Sequence, residues 1–438
     1  MARVEPLKKW RFVWRLVTRR TVGLALVTIM PVIAQAAPAQ RSFNPYAKWE
    51  HGMPKDVNFF PIAVWLQEPR NAKRFEELGF NLYVGLWEGP TAEQLAALKA
   101  VGMPVICAQN TVGLTDTNRD MIVGWMHGDE PDNAQPLGKD KGYGQPILPK
   151  EIEKDYQKLI KTDPSRPVLL NLGQGVAWDH WYGRGVRTNH PEDYPAYLQG
   201  CDIACFDIYP VVHENVEVAG KLEFVAQGVD RLHEWGKGQR IVWNCIECTR
   251  IANVNVKPTP AQVRSEVWMA LIHGSQGLIY FVHQFKPDFI EPGLLADQEM
   301  AKAVGEINRQ ISGLASVLNS PTLTEAVHVT SSADKAPIDV MIKRTQDATY
   351  VFAVCMSNHP TTATFTCKQT TLTKAEILGE NRTLTLNDGV FTDEFAPYAV
   401  HLYRLKQEAM TRASTPPPGL STWTPTRFKG SCKSFGRS

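Results

Sequence analysis

Two apolar runs in this sequence each end in a carboxylate. Residues 121–131 read M-I-V-G-W-M-H-G-D-E-P, an apolar run that meets Asp129 and Glu130 and is stopped at once by Pro131. The run is too short for a helix, and in a strand neighbouring side chains face opposite ways, so Asp129 and Glu130 cannot both be aimed in one direction. One is aimed and the other supports or caps. Residues 240–248, R-I-V-W-N-C-I-E-C, form a second apolar strand that delivers Glu247 near its end. Either glutamate alone reads as a solvated loop residue or a helix cap, because charged side chains avoid burial. Together, far apart in sequence but alike in context, they suggest a paired-carboxylate site, since ligands of parallel α/β folds gather at the carboxyl ends of strands.

The elements that must position such a pair recur along the chain. Strands are expected at 59–66, 81–87, 104–110, 121–126, 167–172, 201–210, 240–248 and 278–285, and helices at 69–78, 91–101, 149–162, 222–235, 260–273 and 300–318. The second helix carries its own punctuation, with Thr91 as N-cap, Glu93 in the first turn and Gly102 as the stop. Eight strands that are mostly apolar throughout, most followed by a helix, describe a parallel sheet buried on both faces and closed into a (β/α)8 TIM barrel. An open doubly wound sheet is the alternative. The barrel is preferred because no strand is followed by a Gly-x-Gly-x-x-Gly turn and because polar residues mark so many strand ends. Two long loops overhang those ends: 132–149, a candidate lid, and 173–195, which gathers Trp178, His180, Trp181, Tyr182 and Tyr194.

Composition narrows the class. The 438 residues are 43% hydrophobic and 21% charged, an ordinary globular balance, and 47 basic against 45 acidic residues give no reason to expect nucleic acid. Residues 1–36 read as an export signal: Lys8, Lys9, Arg11, Arg15, Arg19 and Arg20, an apolar run 22–33, then Ala34-Gln35-Ala36. The run is short and broken by Pro31, so no stable membrane span is expected after cleavage, and a periplasmic or extracellular location is. The barrel is assigned to 37–320. From 321 to 405 short β-type runs separated by Asn, Asp and Gly turns predict a small all-β sandwich, and 406–438 cannot build a core. Cys355 and Cys367 fall on neighbouring predicted strands, where an exported protein could bond them. Cys201, Cys205, Cys245 and Cys248 read as small buried hydrophobes rather than a zinc set, and His127 and His283 are isolated; neither a metal nor another cofactor is expected.

Strands four and seven, each ending in a glutamate within a barrel of this size, resemble the clan A glycoside hydrolases, over about residues 58–318 and loosely to 405 through the sandwich. The resemblance implies that Glu130 is the general acid/base, that Glu247 is the nucleophile, and that the β-glycosidic bonds of an oligo- or polysaccharide are hydrolysed with retention by double displacement. The clan has Asn before the acid/base where this chain has Asp129, which leaves the usual contact to the sugar 2-hydroxyl open. Tyr209 resembles the residue that touches the nucleophile, and Tyr280 or His283 sits where an aromatic floors the sugar pocket. With the other strand-end and loop residues Trp65, Trp87, Gln109, Asn110, Asn171, Trp178 and Asp207, these make the expected substrate-binding set. The chemistry requires such types independently: displacing a glycosidic oxygen takes one carboxyl held protonated and one held ionised. A non-catalytic carbohydrate-binding barrel is the alternative, since it would keep the aromatic loops without needing two convergent carboxylates.

Overall fold

The structure, a computed structural model, describes residues 44–406. The predicted signal segment and all but the first residue of the predicted tail lie outside them. Nine parallel strand segments build the first half: β1 (Ile62–Trp65), β2 (Leu82–Val84), β3 (Val105–Cys107), β4 (Ile122–Met126), β5 (Val168–Leu172), β6 (Ile203–Phe206), β7 (Ile241–Val242), β8 (Asn244–Glu247) and β9 (Leu278–Phe281). Their order across the sheet is β7-β6-β5-β4-β3-β2-β1-β9-β8. β7 and β8 are joined covalently through Trp243, whose amide donates to the Ala204 carbonyl of β6. The two ends of the sheet are therefore one strand, and the sheet closes into the eight-stranded barrel that the sequence predicts.

Strand alternation gives the barrel two cores. Ala63, Leu82, Val84, Ile106, Leu169, Ile203, Cys205, Trp243 and Ile279 fill its interior, while Val64, Tyr83, Val105, Leu170, Phe206, Ile246 and Tyr280 face the helices. The N-terminal end is plugged. Tyr46 and Trp49 belong to the interior core, the Trp243 indole donates to the Tyr46 hydroxyl at 2.8 Å, and that hydroxyl donates to the Gln276 carbonyl at 2.7 Å. The barrel interior is therefore reached from the carboxyl ends of the strands.

The helix Ala92–Val101 has the expected punctuation: Thr91 and Gln94 make a reciprocal capping box, and Gly102 ends it at φ 73°. Between β5 and β6 no long crossover helix forms among the described residues; short 3-10 turns and the four-residue helix Tyr194–Tyr197 take its place. The aromatic loop thus occupies the position of a barrel helix.

The second half is a sandwich of a three-stranded sheet, β10 (Val327–Ser331), β13 (Thr361–Cys367) and β16 (Val390–Phe395), and a five-stranded sheet, β11 (Ile338–Arg344), β12 (Thr349–Cys355), β17 (Val400–Lys406), β14 (Lys374–Ile377) and β15 (Arg382–Thr385). Phe365 stacks on Phe391 with ring centroids 4.6 Å apart, and Tyr403 closes the core. Cys355 and Cys367 are both free and lie in different sheets, so the bond considered from their sequence positions is not made. The helix Pro260–Ile272 is buried against both halves: Trp268 packs on Phe352 at 5.2 Å and the Ser265 hydroxyl donates to the Tyr398 carbonyl at 2.6 Å. This apolar contact fixes the sandwich to the barrel.

Candidate active site

The open end of the barrel holds a carboxylate cluster organised by β5. Asn171, on the interior parity of that strand, donates its amide to Asp129 Oδ1 at 2.9 Å and to Asp207 Oδ1 at 3.1 Å. Its carbonyl oxygen faces the Cys245 thiol at 3.8 Å. Asp207, just past β6, accepts a second bond from the Tyr209 hydroxyl at 2.9 Å. One amide therefore bridges two carboxylates from the strands on either side of its own.

Glu130 has φ 40°, in the left-handed region that a non-glycine residue rarely occupies. Its backbone N–H donates to the Asn171 carbonyl at 3.2 Å. The turn separates Glu130 from Asp129 and points its carboxyl toward Asn133, whose amide donates to Oε2 at 2.8 Å. The orientation of Asn133 is forced, because the Trp181 indole, which can only donate, occupies its oxygen at 2.8 Å. The aromatic loop thus reaches the acid through one asparagine. Below them Asp132 is fully buried, accepting from the Gly173 amide at 2.8 Å and the Tyr194 hydroxyl at 2.9 Å.

These surroundings set the protonation states. Burial, then the charges of Asp207, Asp129 and Asp132, hold the Glu130 carboxyl well above the usual carboxylate range. Asp129 is pushed up to about 7, by burial of its carboxyl first and by Asp207 next. As a residue Asp129 opens to solvent at the cleft mouth. That exposure tempers the effect of burial more than the repulsion from Asp207. Burial raises Asp207 too, opposed by hydrogen bonds from Cys245, Asn171 and Tyr209.

Asp129 lines a cleft of about 560 Å³ together with Trp65, Leu66, Glu68, Trp87, Phe281, His283, Phe285, Phe289 and Glu291. Trp87 and Phe289 are 65% and 61% exposed, which marks this wall as a binding surface rather than core. His283 stacks on Phe285 and Phe289, and its Nε2 faces the Gln67 amide at 3.2 Å. Flat rings on one side and carboxylates on the other make an amphipathic groove.

Of the residues expected from sequence, the fold brings Trp65, Trp87, Asp129, Glu130, Asn171, Asp207, Tyr209 and His283 to this end of the barrel. Others have structural work. Gln109 donates to the Leu159 carbonyl at 3.2 Å, Asn110 caps the short helix Thr111–Thr115, and Trp178 is buried with its indole on Glu217. Tyr280 corrects the expectation directly: it is fully buried in the helix-facing core against Phe80, and its neighbour Phe281 lines the cleft instead. His127 turns outward to the Gly200 carbonyl, away from Glu130.

Glu247 ends β8 as expected, but its carboxylate is enclosed. It is fully buried, Oε1 accepts from the Val211 amide at 2.6 Å and Oε2 from the Val212 amide at 3.1 Å. Burial lifts it to about 8 and lifts Glu266 of the neighbouring helix, whose two carboxyl oxygens have no hydrogen-bond partner among the described residues, well above the usual range. The geometry gives Glu247 a hold on the segment that follows Asp207 and Tyr209. It gives the expected nucleophilic role no support. Sequence reasoning missed Asn133, Phe281, Phe285 and Phe289; Asn133 sits in the same D-E-P-D-N run and was the one within reach.

The fold defines the class: a (β/α)8 barrel carrying a C-terminal β-sandwich. No protein-family model matches the sequence, and no curated protein matches it. Solved structures do. A candidate alpha-galactosidase/melibiase from Bacteroides fragilis superposes with a TM-score of 0.51 at 10% identity, over 80% of each chain. An alpha-amylase from Geobacillus thermoleovorans, solved with acarbose, gives 0.48 at 11% identity over 81% of this chain and all of that one. A family 30 endoxylanase from Clostridium papyrosolvens gives 0.42 at 9% identity, over 81% and 98%. At such identities the likeness is one of fold.

Proposed function

We propose that this chain is an exported glycoside hydrolase that cleaves O-glycosyl bonds of an oligo- or polysaccharide, with Glu130 as the proton donor. The reading rests on a carboxyl that burial and its acidic neighbours raise well above the usual carboxylate range, beside a second carboxyl that opens onto an aromatic cleft. Oε2 of Glu130 is engaged by Asn133, so the proton is delivered from the other oxygen to the leaving glycosidic oxygen as its bond to the anomeric carbon breaks. Ionised Asp129 offsets the positive charge that develops on the sugar. Water supplies the hydroxyl that ends on the anomeric carbon, and its proton returns to a carboxylate. Trp65, Trp87, Phe281, His283, Phe285 and Phe289 supply flat surfaces for the C–H faces of the sugar rings.

Retention through Glu247 requires that carboxylate to leave two backbone amides and its burial, whereas Asp129 is already at the cleft, so Asp129 is the favoured partner. The anomer formed first, read by proton NMR, decides the stereochemical course. The activity is tested by screening aryl α- and β-glycosides and β-glucans with the wild type and Glu130→Gln. Turnover that Glu130→Gln loses is the expected result. Oligosaccharide binding with no hydrolysis of any glycoside tested would replace the enzyme with the binding-module reading.

A further inference from the structure

A second cavity, of about 500 Å³, lies at the plugged end of the barrel, opposite the carboxylate cluster. Its walls come from the N-terminal approaches to three barrel strands (Phe60, Arg240, Gln276), the 318–322 linker, and Met341 and Lys343 of β11. Lys343 is only 5% exposed, and its ammonium has one protein acceptor among the described residues, the Ser320 carbonyl at 2.6 Å. Arg240, whose Nε donates to the Leu198 carbonyl at 2.6 Å, and His233, whose Nε2 faces the Gly274 carbonyl at 3.1 Å, also line the space, and no Asp or Glu does. Asp339, two turns of the pleat away on the same strand, is engaged by His273 at 3.2 Å. An ammonium with three donors, buried and lacking a carboxylate, normally calls for a counter-charge.

We propose that this cavity is a binding site for a small oxyanion, held by Lys343 as a point charge with Arg240 beside it. Burial alone, with no charge partner, lowers the Lys343 ammonium to about 8, so an anion there would restore its proton and bind more tightly below that pH. The site joins barrel, linker and sandwich, so occupation stabilises the seam between the two halves. It is independent of the glycosidase reading, because none of its residues belongs to the cleft.

The probe is inorganic phosphate, titrated into the full chain against chloride at matched ionic strength. The wild type is expected to show a saturable rise in Tm, and calorimetry a single site. Lys343→Met should fold at least as stably without phosphate, since it removes a buried cation, and should weaken phosphate by about tenfold or more. Lys343→Arg, which keeps the charge, should retain binding. No saturable response in the wild type, or the same response in Lys343→Met, overturns the proposal.

Discussion

Replacing Glu266 by Gln deletes one of two protons that the fold holds in a place closed to water. Glu247 and Glu266 are both fully buried, and burial raises both carboxyls above the ordinary 4.5, Glu247 to about 8 and Glu266 well above 4.5. Between those limits the folded chain keeps protons that the unfolded chain releases, so stability falls as pH rises through that window and is greatest below it. Each such carboxyl contributes a slope of about 1.4 kcal/mol per pH unit. As pH rises above about 5 the wild type should therefore lose stability more steeply than Glu266→Gln, whose amide carries no titrating proton, by up to about 1.4 kcal/mol per pH unit while the fold keeps Glu266 protonated. Urea unfolding at a series of pH values reads this as the change in midpoint at constant m. Parallel curves for the two proteins would refute Glu266 as a carboxyl buried with its proton.

Two further outcomes follow from the cleft and its surroundings. Asp207→Asn removes the charge that raises both Asp129 and Glu130, so both limbs of the pH profile of kcat/KM should move to lower pH, by about one unit or more; fixed limbs would place the titrating groups elsewhere. Tyr280→Phe removes a buried hydroxyl that has no partner among the described residues, and should be neutral or stabilising by about 1 kcal/mol with activity unchanged; lost turnover would restore Tyr280 to the site.

The barrel was legible because its strands are apolar on both faces, a pattern that parallel sheets require and that survives reading without an alignment. The phase within each strand was not. On β9, Tyr280 and Phe281 are equally plausible cleft residues until the interior parity is known, and a shift of one residue exchanges them. Glu247 shows the same limit in another form: its strand position was readable, but the capture of its carboxylate by two amides depends on the path of the chain after β6. Strands β15 and β16, R-T-L-T and V-F-T-D-E-F, are polar enough to read as turns, and packing of Phe391 and Phe395 on Phe365 makes β16 a strand. Phe285 and Phe289 join the cleft through loop conformation, which no spacing rule encodes.

The role of Glu130 is tested most directly by comparing leaving groups. In Glu130→Gln, kcat/KM on substrates whose leaving group needs a proton, such as unactivated disaccharides, should fall by about 10²- to 10⁴-fold, while cleavage of dinitrophenyl glycosides of the same sugar should fall far less. The pH dependence should change with it: the alkaline limb set by the protonated Glu130 should disappear on the activated substrate. An equal loss on both kinds of substrate, with the alkaline limb unchanged, would contradict Glu130 as the proton donor.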